Sequence, residues 1–589
     1  MKVNERLAVL RDLLHGEPDA ANIAAAQRLI DAWPADENPE VGVLYAQQHM
    51  KGMLLRMVRQ RQGPRSWSTL VEVVDAWTDK ASLEALMPHL LASLAQWPDH
   101  LRVAPQGWLE ALVDNNTPAG WPLVRAIRPE GFSGAVLRRL LGRTALRQIT
   151  VLDLCKTRLW QHQMRDWSAA THLRDLEELR SDHNSVGFLP HFLQTKGHFK
   201  HLKRLHIRAN RQAAPTGQLR ALLRGAQARQ LTHLTLERFG LTAEDANALA
   251  TAPLCQNLVS LDLSSNPNLG ERGAAVLFGS SWPALKSLDM RNCGLGVIGT
   301  LSLVDSSVVR RLSNLNLRNN AITNVAAEAL LGSPLPHLRA LNMGANGLTS
   351  AAIRGLSVAF AEPGLERLAL RDNQLDDDGA GVIAHCAGLQ NLRILNLRSN
   401  QLTAAGAQAL ARSPYLKALR HLNLRTNPIG DKGSQALATS PIIEQVQRLD
   451  LSSTGLEDGG LVSLLQSPHL RAVTELSLRN NNVTTEGVKA LIQSPLLAQL
   501  RRLDLRSNAI DDDAAELLAQ APNTSLLEDI SLRENFLSNE GVVALIKGEG
   551  FEGLKSLNLK RNYTFERTLE NRFNRRRVPF KLFLIPPRY

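Results

Sequence analysis

One pattern constrains this chain more than any other feature. Leu-x-x-Leu-x-Leu-x-x-Asn recurs throughout residues 146–562. Its closing position falls at 157, 184, 210, 239, 266, 293, 320, 346, 373, 400, 427, 454, 481, 508, 535 and 562, about 16 copies with a 27-residue period. From 346 onward every step is 27 residues. A fixed period of roughly 20–50 residues marks an array in which each unit buries its apolar side only against its neighbours. A chain of 589 residues can then fold without one oversized core.

Each part of the unit has a physical job. In the copy Leu392, Leu395, Leu397, Asn400, the Leu-x-Leu alternation is a short strand with one face buried. The Asn lies where the chain turns away. Its carboxamide both donates and accepts, so stacked copies predict a ladder of Asn320, Asn346, Asn373, Asn400, Asn427, Asn481, Asn508, Asn535 and Asn562. Thr157, Phe239, Cys293 and Thr454 take its place in four copies. After the turn come an apolar residue (Leu402), a small polar cap (Thr403) and a helix over 404–413. Ala407, Leu410 and Ala411 fall on one side of that helix and are expected to face the sheet. Ser-Pro follows at 413–414, 440–441, 467–468 and 494–495, where proline stops the helix.

These motifs resemble the leucine-rich-repeat superfamily, bacterial type, in its ribonuclease-inhibitor-like class. The resemblance implies an α/β solenoid: a horseshoe with a parallel sheet on the concave side and helices on the convex side. Residues 1–145 lack the repeat and read as an all-α N-terminal domain of six to eight helices, holding Trp33, Trp67, Trp77, Trp97, Trp108 and Trp121. Leu83, Leu86, Leu90, Leu91 and Leu94 keep helical spacing, with Pro88 expected to kink or divide their helix. Residues 28–40 faintly resemble the repeat-companion segment of some bacterial proteins. Residues 563–589, with Phe565, Phe573, Phe580 and Phe583, read as a basic C-terminal cap over the open end of the array.

Charge and cysteines narrow the function classes. The net charge is +12, yet residues 560–589 alone carry nine Lys or Arg against Glu566 and Glu570. A chain-wide nucleic-acid surface is therefore disfavoured, although Arg575, Arg576 and Arg577 form a basic arm. Lys51, Arg56, Arg59, Arg61 and Arg65 read as a solvated helix face. Cys155, Cys255, Cys293 and Cys386 are too scattered for zinc, redox or disulfide patterns. Residues 1–19 have no apolar core of a secretory signal, and no run of about 20 apolar residues predicts a membrane span. A cytoplasmic monomer is expected, with export by a non-classical bacterial route as the alternative. No catalytic, metal or cofactor residue is expected. Asp376–Asp378 and Asp511–Asp513 open helices and read as caps rather than metal ligands. His201, His206 and His233 are expected at the surface.

The candidate site lies between and beside the leucines. The column two residues before the ladder contains Arg318, Arg371, Arg398, Arg425, Arg479, Arg506 and Arg533. The column before it contains Asn396 and Asn423 among Asp and Ser. Asp289, Asp504 and Glu534 offset Arg291, Arg506 and Arg533 locally. Simple alternation places Asp372 on the side opposite Arg371, and leaves Arg318, Arg398 and Arg425 beside uncharged Asn. This predicts a non-enzymatic scaffold that binds a protein with an acidic surface, because guanidinium pairs with carboxylate in two-pronged fashion. The simpler reading is that the arginines decorate the repeat and stay solvated. Two alternatives stand beside it. The phrases at 406–411 and 433–438 resemble GALA-type effectors, implying an exported adaptor that recruits host ubiquitin machinery, although no F-box is identifiable in residues 1–145. A GTPase regulator or an anionic-polymer binder is the other; for the polymer binder, steep salt dependence is the signature.

Overall fold

The computed structural model describes residues 64–75, 80–155, 172–182, 200–209, 226–522, 524–548, 551 and 553–563, a strand at 581–583, and shorter pieces at 8–10, 13, 25–26, 29, 157, 170, 219–220 and 222–223. The repeat-companion resemblance at 28–40, most of the basic stretch at 51–65, Trp33, Trp77, Phe565, Phe573, Phe580 and the arginines at 575–577 lie outside the described residues, except for 29, 64 and 65. The chain divides into two compact units, residues 1–241 with 251–260, and residues 242–250 with 261–589.

The first unit contains the helices Pro64–Asp75, Lys80–Leu94, Gln106–Val113 and Gly134–Leu141. Pro88 lies inside its helix without dividing it. Three buried tryptophans anchor this region, each donating its indole N–H as a buried indole requires. Trp67 donates to the Val103 carbonyl at 2.7 Å, Trp108 to Asp75 at 2.6 Å and Trp121 to the Ala145 carbonyl at 2.8 Å. Parallel pairing begins with a bridge between Val103 and Ala126. It continues through the strands Ala126–Ile127, Val151–Asp153, Glu178–Asp182, Arg204–Arg208 and His233–Glu237, each beside the next.

The second unit is a solenoid. Three-residue strands run from Ser287–Asp289 to Ser556–Asn558, all parallel and each paired to its successor. The register matches like with like: Leu368, Leu395, Leu422 and Leu449 stand side by side. Each of these is buried, while the strand residues flanking them stay part-exposed or exposed. Lys581–Phe583 adds a further parallel strand beside Ser556–Asn558.

The turn after each strand is sharper than alternation allows. Residues just before the ladder position, from Ser265 and Asn292 to Glu534 and Arg561, have φ of 52–61° although none is glycine. The ladder Asn fixes this turn. Asn400 accepts from the Leu375 N–H of the preceding repeat at 3.0 Å and donates to the Leu370 and Leu397 carbonyls. Asn427 does the same for Leu402, Leu397 and Leu424. At Cys293 the buried thiol donates to the Leu263 carbonyl, and burial raises its pKa to about 12.

The helices close the repeat on the other side. In Ala404–Ala411 the buried side is Gly406, Ala407, Leu410 and Ala411, and Thr403 caps the N-terminus. Ser413, Ser440 and Ser494 of the Ser-Pro pairs donate to carbonyls at the end of the preceding repeat's helix, satisfying groups a helix leaves open.

Candidate partner-binding face

The strands present three rows of side chains on the face away from the leucines. The first row alternates in sign: Arg448–Glu475 at 3.0 Å, Glu475–Arg502 at 3.5 Å and Arg502–Asp529 at 3.3 Å. Strand spacing of about 4.8 Å lets each charge meet its neighbour. The middle row is short: Asn396, Asn423, Asp450, Ser477, Asp504, Ser531 and Asn558. The third row is the arginine column. The short middle row makes the floor of a groove of about 540 Å³.

The middle row is largely committed to the backbone. Asn396 accepts from the Arg398 N–H at 3.1 Å, and Asn423 from the Arg425 N–H at 3.0 Å. Asp450 and Asp504 repeat that bond to Ser452 and Arg506. Each such bond steadies the turn that follows, so Asp and Asn suit this position for a local reason. Asn423 also donates to Asp450 at 3.1 Å.

The arginines divide into two groups. Arg506 grips Asp504 through Nε at 2.8 and 2.9 Å, which raises its pKa further. Arg533 meets Glu534 at 2.9 Å, and Arg291 lies 3.7 Å from Asp289. Asp372 requires a correction to simple alternation. Its φ of 57° turns it back toward the arginine row, where it lies 3.9 Å from Arg371 Nε and 3.6 Å from Arg318 Nη2. Arg318 is therefore not left beside uncharged Asn alone, because Gly344 has no side chain to separate it from Asp372. Arg398, Arg425 and Arg479 form the second group: among the described residues no carboxylate pairs with any of them. Nε of Arg398 and of Arg425 is buried without a hydrogen-bond partner. Burial, then Arg398 and Arg479, lowers the pKa of Arg425. Burial, then Arg318, does the same to Arg371. The charges persist at neutral pH.

The acidic runs at helix starts also divide. Asp376 and Asp511 cap their own helices. Asp377 instead accepts from the N–H groups of Thr403 and Gly406 in the next repeat. Among the described residues no three His, Cys, Asp or Glu side chains are placed to hold a metal.

The histidines of the first unit are not simply superficial. His206 and His233 line a polar cleft of about 550 Å³ with Glu178, Arg180, Arg204 and the segment Trp97–His100. Glu178 is 3 % exposed and bonds Arg180. Burial lowers the pKa of both histidines. Sequence spacing missed this because the wall comes from a distant segment.

Residues 363–429 match the family described as Leucine rich repeat, and residues 254–278, 469–491 and 499–519 match a second family of the same description. The chain is 32% identical over 209 residues to the ribonuclease inhibitor of Mus musculus, covering 33% of this chain and 44% of that protein. The chain thus spans less than half of that relative's length. An internalin from Listeria monocytogenes aligns over 60% of this chain and 89% of its own with 20% identity and a TM-score of 0.37. Among the described residues no helix is long and apolar enough to cross a membrane.

Proposed function

Because the chain is a leucine-rich-repeat protein of the ribonuclease-inhibitor-like superfamily, we propose that it is a binding scaffold whose partner is a protein with an acidic surface. One observation carries this reading. Arg398, Arg425 and Arg479 share one row and one face, Arg425 is repelled by the other two, and among the described residues none of the three forms an ion pair, Asp450 offsetting Arg425 only in part. Holding like charges together in this way disfavours the isolated state, and an acidic partner relieves it. The strands fix these side chains before contact, so little ordering is lost on association.

The test is the Arg371→Ala, Arg398→Ala, Arg425→Ala triple variant. The expected outcome is that a partner captured from native lysate by the wild type is lost, while circular dichroism and the melting midpoint are unchanged. Equal capture by the two proteins removes this face from contention. The anionic-polymer reading rests on the same row. It predicts a log–log salt slope that scales with the phosphates neutralised, which titration against a nucleic acid would measure.

A further inference from the structure

We propose that the partner element seated on this face is an α-helix, lying across the strands in the trough between the first and third rows, with a stripe of Asp or Glu turned toward Arg398, Arg425 and Arg479. This rests on the face assigned above and names the element that docks there.

The trough has the width of a helix. Its floor is the short middle row, and long side chains line it on both sides: Arg448, Glu475 and Arg502 from the first row, Arg506 from the third. First-row and third-row residues of one repeat, such as Glu475 and Arg479, are four residues apart, about 13 Å of extended chain. A helix with its side chains is about 10–12 Å across. The floor is committed to its own repeats, since Asn423, Asp450 and Asp504 accept from backbone N–H groups there. Small side chains such as Ala and Ser therefore suit the underside of the helix.

Spacing selects a helix over an extended segment. Arg398 and Arg425 follow adjoining strands, and Arg479 follows the strand two beyond. At about 4.8 Å per strand they stand at roughly 0, 5 and 14 Å along the trough. One stripe of a helix, at i, i+3, i+7 and i+10, falls at roughly 0, 4.5, 10.5 and 15 Å. An extended chain repeats each side every ~6.7 Å, and so meets Arg425 about 2 Å out of step.

Charge places the stripe. From 398 to 534 the third row holds five arginines against three carboxylates, Asp450, Asp504 and Glu534, in and beside it. Asp504 bonds Arg506 and Glu534 bonds Arg533, while Asp450 offsets Arg425 in part. The positive excess thus sits at Arg398, Arg425 and Arg479. The first row adds no net charge, because Arg448, Glu475, Arg502 and Asp529 alternate and pair. The docked helix is therefore acidic on one flank and uncharged on the other. Guanidinium offers each of its carboxylates a planar, two-pronged contact.

The experiment uses the full chain and fluorescein-labelled alanine–glutamine peptides, read by anisotropy at low salt. One carries Glu at i, i+3, i+7 and i+10, a stripe that reads the same in either chain direction. A second has the same composition with its Glu residues spread around the helix. A third keeps the stripe but has a central proline that breaks the helix. The striped peptide is expected to bind about tenfold tighter than either control, the worth of one charge-assisted contact. Arg398→Ala with Arg425→Ala and Arg479→Ala is expected to erase that preference. Ser477→Trp raises the floor without altering charge and is expected to weaken the striped peptide by a similar factor. A control that binds as well as the striped peptide overturns the helix, as does wild-type affinity in Ser477→Trp or no binding at all. The peptide comparison needs no variant, so it decides alone should Ser477→Trp melt early. If all three peptides bind alike, and the arginine variant loses them together with the captured partner, the face stands and only the helix falls. No binding of any peptide, with equal capture by the Arg371, Arg398, Arg425 triple variant and the wild type, removes both.

Discussion

Glu534 shows how much one side chain carries in an array. It accepts from Ser507 Oγ of the preceding repeat at 2.9 Å, from Arg533 of its own at 2.9 Å and from Arg561 of the next at 2.8 Å. Burial opposes its charge, but these bonds hold its pKa down at about 2. The folded value lies below the ordinary 4.5, so its contribution is full above that pH and fades as pH falls toward 2. Glu534→Gln is expected to melt below the wild type at pH 7, with the difference closing as pH is lowered from about 5 to about 2. A difference constant with pH in thermal melts would show that shape, not charge, matters there. Asp372 carries the companion lesson. Leucine spacing made the buried positions legible, and the Asn repeat made the ladder legible. Nothing in the one-letter pattern announces a left-handed turn at Asp372, Ser399, Thr426 or Asn480, because none is glycine. Alternation fails there, and the pairing of Arg318 with Asp372 was hidden by that failure.

At the scale of the element, the helices are stitched through their first turns as well as packed. Asp377 accepts from the Thr403 N–H, Asp431 from Glu457, Asp458 from Thr484 and Asp512 from Ser538, each one repeat on. A carboxylate beside a helix N-terminus satisfies open N–H groups and complements the dipole, here across a repeat boundary. Asp512→Ala is expected to cost about 1 kcal/mol in denaturant unfolding, and Asp511→Ala, at the helix's own cap, a similar amount. No loss at Asp512 would mean that the inter-repeat bond is replaced by water. The sequence marked both runs as caps but assigned them to a single helix. The signal for the second role was present as a recurring acid four residues after the ladder position. It is visible only when successive repeats are aligned with each other. The polar cleft at Glu178 and His206 had no such signal, since Trp97–His100 meets those strands through tertiary packing alone.

At the scale of the whole molecule, the second unit behaves as a line of neighbours. Every strand described there between 314 and 558 pairs with the strands one repeat away, and the ladder bonds reach back one repeat. Stability in such an array is close to a sum of repeat and neighbour contributions, so damage stays local until the array divides. Leu395, 1 % exposed and flanked in register by Leu368 and Leu422, is the place to test this. Leu395→Ala removes most of a packed side chain and is expected to cost roughly 2–5 kcal/mol. By hydrogen exchange, the strands at 367–369 and 421–423 should lose protection while the strand at 287–289 keeps it. That outcome would also mean that the arginine row is held locally without global stiffness, because each arginine depends on its own repeat and the two beside it. Uniform loss of protection from 287 to 558 would instead make the unit a single cooperative body.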